Sequence, residues 1–286
     1  MREMMKTELH AIQGRLLKML SFFHNFCMEH GLSYYVIGGT MLGAARHKGF
    51  IPWDDDIDIG MPRRDFDKLE MYEGKVFDTY VFETQKSTDP NYCFPYSKLY
   101  DTSTTLIENT RHILKRGLYI DIFPLSGAGN TMMEAEKHYA RINKMKQLLK
   151  LRNSPDKEDR AWYKNLIIQC VRLLPDTVAN EKLLCHKIDK ECRKYDFNDT
   201  ELVANLVGAW GTNEIMPREY FGKPTIYQFE DMEVFGVEKY DEFLTHIYGN
   251  WRSLPPMDKQ VSHHDHVLDL NTSYLKNSQG EKGVVI

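Results

Sequence analysis

The sequence lacks any apolar run close to the ~20 residues that a membrane-spanning helix needs. Its most apolar late stretch, LIIQCVRLLP at 166–175, is broken by Gln169 and Arg172 within ten positions. The opening MREMMKTELH carries charge where a secretory signal requires an apolar core. No transmembrane segment is expected, and the expected location is the cytoplasm, with peripheral contact at the inner face of a membrane left open. Cysteine is scarce. Cys27, Cys93, Cys170, Cys185 and Cys192 are odd in number and irregular in spacing, which excludes a disulfide framework and suits a reducing compartment. Charge of one sign is also missing. The net charge is −4, from 37 basic and 41 acidic residues, so no global footprint for nucleic acid exists. There is no internal repeat and no low-complexity tract. What remains, 286 residues with 42% hydrophobic and 12% aromatic side chains, is ordinary globular material, enough for one large domain or one domain with a helical extension.

Periodicity predicts an amphipathic helix over 4–30, where Leu9, Ile12, Leu16, Met19, Leu20, Phe23, Phe26 and Cys27 recur at three- and four-residue spacing. LSYYVIGG reads as a strand entering a Gly-Gly turn. Thr40 is placed to cap a short helix, TMLGAARH, that Lys48-Gly49 closes. The acidic stretch IPWDDDIDIGM follows as a second strand, and RRDFDKLEMY as a helix. VFDTYVFET, FPYSKLYD and GLYIDIFPL read as further strands. Beyond Gly129 the pattern turns helical over 131–152, 157–173 and 180–195, with a hairpin at 226–235 and another helix in YDEFLTHIYG. The fold class this predicts is α+β: a mixed sheet flanked by helices over 1–130, and a mostly helical region over 131–286 that completes the cleft.

Asp54, Asp55, Asp56 and Asp58 crowd five positions between apolar neighbours. On a strand, Asp54, Asp56 and Asp58 would share one face, about 7 Å apart. Two bare charges at that separation repel by about 2.4 kcal/mol at an effective dielectric of 20. A solvated acidic loop after Pro52 is one explanation. A calcium loop is another, but Ile59 stands where its turn glycine is needed and Asp65 where its closing glutamate is needed. The third is a Mg²⁺ or Mn²⁺ site for phosphate chemistry. Asp121, between Ile120 and Ile122, supports it, since a carboxylate inside an apolar strand is costly unless paired or metal-bound; a strand-end cap near Pro124 is its bland alternative. Gly38-Gly39-Thr40, at a helix start, lets peptide N–H groups approach a phosphate. Arg46 and Lys48 offer charge to it; a salt bridge to the nearby aspartates is the alternative for Arg46. Asp55, on the other face, is expected to pair with Arg63 or Arg64.

The stretch YYVIGGTMLGAARHKGFIPWDDDIDIGM closely resembles the signature of the LicD family, whose relatives include fukutin and fukutin-related protein. The resemblance covers residues 8 to about 125, and YGNWRSLPPMDKQVSHH at 248–264 resembles the family's C-terminal end. Thr40 stands where serine is common and Ala45 where valine is common. The resemblance implies a nucleotidyltransferase-like fold. In it Gly38, Gly39 and Thr40 precede the metal-binding Asp56 and Asp58, Asp121 supplies the third carboxylate, and Asp54 is a possible further ligand. It also implies the activity: metal-dependent transfer of a phosphorylated alcohol, most often phosphocholine, from a CDP-alcohol donor to a hydroxyl of a glycan such as teichoic acid or lipopolysaccharide, or a lipid-linked precursor. CMP is released. A nucleotidyltransferase releasing pyrophosphate and a non-catalytic nucleotide- or glycan-binding module are the alternatives.

Choline is a quaternary ammonium of the kind aromatic cages hold. Trp53, Tyr92, Tyr96, Tyr100, Trp210 and Trp251 are candidates, each with core packing as its alternative. In SHHDH, His264 and His266 could share a metal while His263 points away. His263 and His264 lie in the second family-like block and are assigned to closing the donor pocket, with a hydrogen-bonded structural role equally open. Cys185, His186 and Cys192 lack zinc-ligand spacing.

Overall fold

The computed structural model describes residues 2–109, 111, 113–155, 157, 160–261 and 267–275. Helix α1 (Arg2–His30) buries Leu16, Met19, Leu20, Phe23 and Cys27 on one stripe. β1 (Tyr35–Val36) leads into α2 (Gly38–His47), which Lys48 ends in a left-handed conformation at φ 58°. β2 (Asp58–Pro62) and α3 (Arg63–Leu69) follow. β3 (Val76–Phe77) and β4 (Tyr80–Glu83) form a short hairpin, then come the long strands β5 (Ser97–Asn109) and β6 (Ile113–Gly129). α4 (Met132–Asn153) opens on a capping box between Thr131 and Glu134. α5 (Trp162–Arg172), α6 (Asp176–Ala179) and α7 (Glu181–Cys192) precede β7 (Leu202–Ala204) and β8 (Met216–Pro217). β9 (Thr225–Phe229) and β10 (Met232–Gly236) pair as a hairpin, followed by α8 (Tyr240–Tyr248) and β11 (Val267–Asp269).

The main sheet has the order β1-β2-β6-β5-β4-β3. β2 and β6 run parallel and the other pairs on this path are antiparallel. This is the α+β arrangement of mixed sheet and flanking helices that the sequence predicts. Ile57, Ile59, Leu99, Ile120 and Ile122 join the core beneath α1. Alternation along β6 therefore sends Asp121 to the opposite face. A second apolar cluster lies under α4 and α7, built on Ala135, Ile142, Leu184 and Ile188. β6 also pairs with β7 through Ser126↔Ala204 and Gly127↔Val203, so the sheet takes up chain from beyond residue 130. No helix among the described residues is long and apolar enough to cross a membrane.

Several elements differ from the expectation. The acidic stretch is a strand only from Asp58 onward. Residues 52–53 turn, Asp54 N–H closes on the Ile51 carbonyl at 2.9 Å, and the parallel pairing with β6 starts at Asp58↔Asp121. Asp54 and Asp56 thus project from a loop, with no strand neighbour to hold like charges in line. Thr40 does not cap α2. Ile37 occupies the cap, and Thr40 lies in the first turn. VFDTYVFET is a hairpin because Asp78 adopts φ 55°. Arg63 bonds Asp67 and Asp189, and Arg64 bonds Asp196.

Candidate active site

Asp58 is tied to the glycine turn at both ends of its backbone. Ile37 N–H donates to its carbonyl at 3.0 Å, and its own N–H donates to Thr40 Oγ1 at 2.9 Å. The turn then packs directly on the acids. A Cβ at Gly38 would lie 2.9 Å from Asp58 Oδ2, and one at Gly39 2.8 Å from Asp54 Oδ2. Gly38 also sits at φ +56°, which favours glycine. The start of α2 and the carboxylates therefore share one small space. Across the sheet, Asp58 faces Asp121 and Asp121 faces Lys98, a row of three charged side chains on neighbouring strands.

The electrostatics are those of crowded, buried acids. Burial, then Asp56 and Asp55, push the Asp54 carboxyl up to about 8. Asp58 is pushed well above the usual range by burial, then by Asp56, Asp121, Asp54 and Glu214. Asp121 is raised by burial, against the pull of Lys98. Tyr248, whose hydroxyl is raised by burial and then by Asp58 and Asp54, borders the same cluster. A divalent cation reverses each of these penalties. Among the described residues no three His, Cys, Asp or Glu side chains form a ready ligand set; Asp121 Oδ1 is engaged by Lys98 Nζ at 2.7 Å. The acids nonetheless fit Mg²⁺, which commonly takes one or two protein carboxylates and completes its shell with water and substrate phosphate.

Lys98 is the site residue that the sequence reading missed. It is 1% exposed, and its ammonium lies 3.2 Å from the Tyr119 ring centroid and 4.6 Å from that of Phe94. The available signal was a lone lysine in FPYSKLYD, where Phe94, Tyr96 and Tyr100 surround it in sequence. Glu214 and Asn205 were missed as well. Glu214 lies in the short turn Gly211–Glu214, and burial lifts its carboxyl to about 7.

The remaining candidates spread out. Arg46 donates to the Trp251 carbonyl at 2.7 Å and the Ser253 carbonyl at 3.4 Å, tying α2 to the chain after α8. Lys48 is exposed at the far end of α2, about 15 Å along the axis from Gly38. Trp53 packs half-buried against the main core. Tyr92 and Tyr100 are buried, Tyr96 packs on Phe123, and Trp251 is buried with its indole N–H on Asp241 at 2.9 Å. Trp210 is half-exposed beside Asp58 and Gly38. His263, His264 and His266 lie outside the described residues.

The family model described as LicD/FKTN/FKRP, nucleotidyltransferase domain, matches residues 31–155. Over 269 residues the chain is 30% identical to the lipopolysaccharide cholinephosphotransferase LicD of Haemophilus influenzae, covering 91% of this chain and 97% of that one. Over 66 residues it is 36% identical to the ribitol 5-phosphate transferase FKRP of mouse and of human, covering 22% of this chain and 13% of each of those. The chain belongs to the LicD family.

Proposed function

We propose that this protein transfers a phosphorylated alcohol, phosphocholine foremost, from a CDP-alcohol to a hydroxyl of a surface glycan or its lipid-linked precursor, releasing CMP. The packing of Gly38 and Gly39 on the carboxylates of Asp58 and Asp54 carries this reading. A turn without side chains leaves peptide N–H groups open to a diphosphate, and acids beside it suit the cation that a diphosphate brings. Likeness over nearly the whole chain to a cholinephosphotransferase supports phosphocholine, and the shorter likeness to a ribitol 5-phosphate transferase supports the wider class.

In this reading Gly39 and Thr40 orient the phosphates. Asp56 and Asp58, with Asp54 beside them, would hold Mg²⁺ or Mn²⁺, which when bound offsets the charge developing on the diphosphate. Asp121, fixed by Lys98, accepts the proton of the acceptor hydroxyl as its oxygen bonds to phosphorus and the bond to CMP breaks. Its raised pKa makes it a stronger base than an ordinary carboxylate. The setting in this reading is the cytoplasm, where an odd, irregularly spaced set of cysteines is at home, with contact at the inner face of a membrane left open.

Calorimetry with CDP-choline, CDP-ribitol and CDP-glycerol, with and without Mg²⁺, tests the donor. Metal-dependent binding of one donor by the wild type, lost in Asp58→Ala, is expected. Product analysis should give CMP. Pyrophosphate from a nucleoside triphosphate would instead make the enzyme a nucleotidyltransferase, and no turnover with any donor would make it a binding module.

A further inference from the structure

α5 turns its apolar face outward. Trp162, Tyr163, Leu166 and Ile167 are all exposed, Trp162 at 76%, and at ~100° per residue they share one sector of the helix about 140° wide. Leu173, at 84% exposed, and Leu174 extend that face just past the last turn. Ile168, on the opposite side, is the helix's one buried side chain. A helix packed on a domain ordinarily turns such a stripe inward. Hydrogen bonds hold α5 in this orientation: Arg172 Nη2 donates to the Ser154 carbonyl at 2.6 Å, and Arg152 Nη1 of α4 donates to the Val171 and Leu174 carbonyls at 3.4 and 3.2 Å. Charge is concentrated around it. Residues 137–175 hold ten Lys and Arg against three acids, Asp156, Glu158 and Asp159, in a chain whose net charge is −4. Lys144, Lys150, Lys157 and Lys164 are exposed. Trp162 and Tyr163 stand edge-to-face at 6.2 Å where the helix begins, amphipathic rings of the kind that favour a headgroup layer.

We propose that α5 docks this protein on an anionic lipid surface, its exposed apolar face entering the headgroup boundary and Lys164 with the neighbouring lysines meeting the lipid phosphates. Eleven residues make a helix about 16 Å long, too short to span a bilayer and suited to lying in its plane. A second copy of this chain on the same face would set these lysines against lysines, whereas anionic headgroups answer the charge and the acyl boundary takes the apolar side chains. The docked end adjoins the carboxylates by a groove. Tyr96, Tyr139, Lys146 and Asn153 line it beside α4, and Ala209 lines both this groove and the cavity at Gly38 and Asp58. Its Asn153 end is next to Ser154, the residue that Arg172 of α5 holds. The docking goes beyond the phospho-alcohol transfer reading and holds whichever donor the site takes.

Flotation of the full chain with phosphatidylcholine vesicles, with and without phosphatidylglycerol, tests this, alongside sedimentation velocity in the absence of lipid. The wild type should bind the phosphatidylglycerol vesicles at least about tenfold more tightly than phosphatidylcholine alone and lose that advantage at high salt. Its tryptophan emission should move to shorter wavelength on binding, a shift that Trp162→Phe removes. Leu166→Gln combined with Ile167→Gln should weaken binding at least about tenfold with an unchanged melting temperature, since both side chains are exposed in the free protein. No flotation with either vesicle, equal binding to the two, or full binding by the double variant would overturn the assignment. A lipid-free dimer that the double variant dissociates would overturn it as well, by giving the face to a second copy. Donor binding by the double variant should match the wild type, so that this docking and the donor reading fail separately.

Discussion

Asp58 stands under the repulsion of Asp56, Asp121, Asp54 and Glu214 at once. Removing its charge should relieve the metal-free protein. Asp58→Asn is expected to gain about 1–2 kcal/mol in urea titrations performed in chelator. Under the proposed function Mg²⁺ or Mn²⁺ should raise the melting temperature of the wild type, and the same variant should lose that rise and at least about 10²-fold in turnover. Glu214 makes a separate prediction through pH. Its carboxyl titrates near 7 in the fold, above its ordinary 4.5, because it is buried. Between those values the folded chain keeps a proton that the unfolded chain has released. Stability therefore falls as pH rises through that window and levels off above it, by up to about 3 kcal/mol from this group. Glu214→Gln should match the wild type near pH 4.5 and exceed it at pH 8, as read from denaturant midpoints at the two values.

Two elements hold the proposed reactive groups in place, and each has its own test. At the head of α2, an added methyl at Gly39 meets only the mobile end of the Asp54 side chain. Gly39→Ala should therefore fold with a loss below about 1 kcal/mol but bind donor poorly, because the carboxylate must turn away. The pairing of β5 with β6 places Lys98 against Asp121. Lys98→Met leaves a buried carboxylate alone and should cost about 3 kcal/mol. Lys98→Met combined with Asp121→Asn should recover most of that loss while turnover stays abolished, a pattern that a double-mutant cycle reads directly. The turn was legible in the sequence because Gly-Gly-Thr before a helix is local chemistry. Lys98 was not, because its partner is set by cross-strand register.

At the scale of the molecule, chain from beyond residue 200 closes on the first hundred residues. The β9–β10 hairpin holds the loop leading to the aspartates, with Glu230 N–H on the Lys48 carbonyl at 2.7 Å and Phe50 N–H on Glu230 Oε1 at 3.0 Å. Arg46 ties α2 to the carbonyls of Trp251 and Ser253. Arg46→Ala should cost about 2 kcal/mol by chemical denaturation, the value of charge-assisted bonds to carbonyls. The sequence by itself determined what local chemistry determines: the amphipathic first helix, the hairpin at 226–235, the glycine turn, and the acids that follow it. Tertiary structure alone decided that Asp54 and Asp56 lie in a loop, that Lys98 neutralises Asp121, and that Asn205, Trp210 and Glu214 stand beside Asp58 from about 150 residues away. Periodicity and turn chemistry act over a few residues and leave a mark in the sequence. Register and the return of a distant loop depend on how the whole apolar surface is buried, so no short stretch records them.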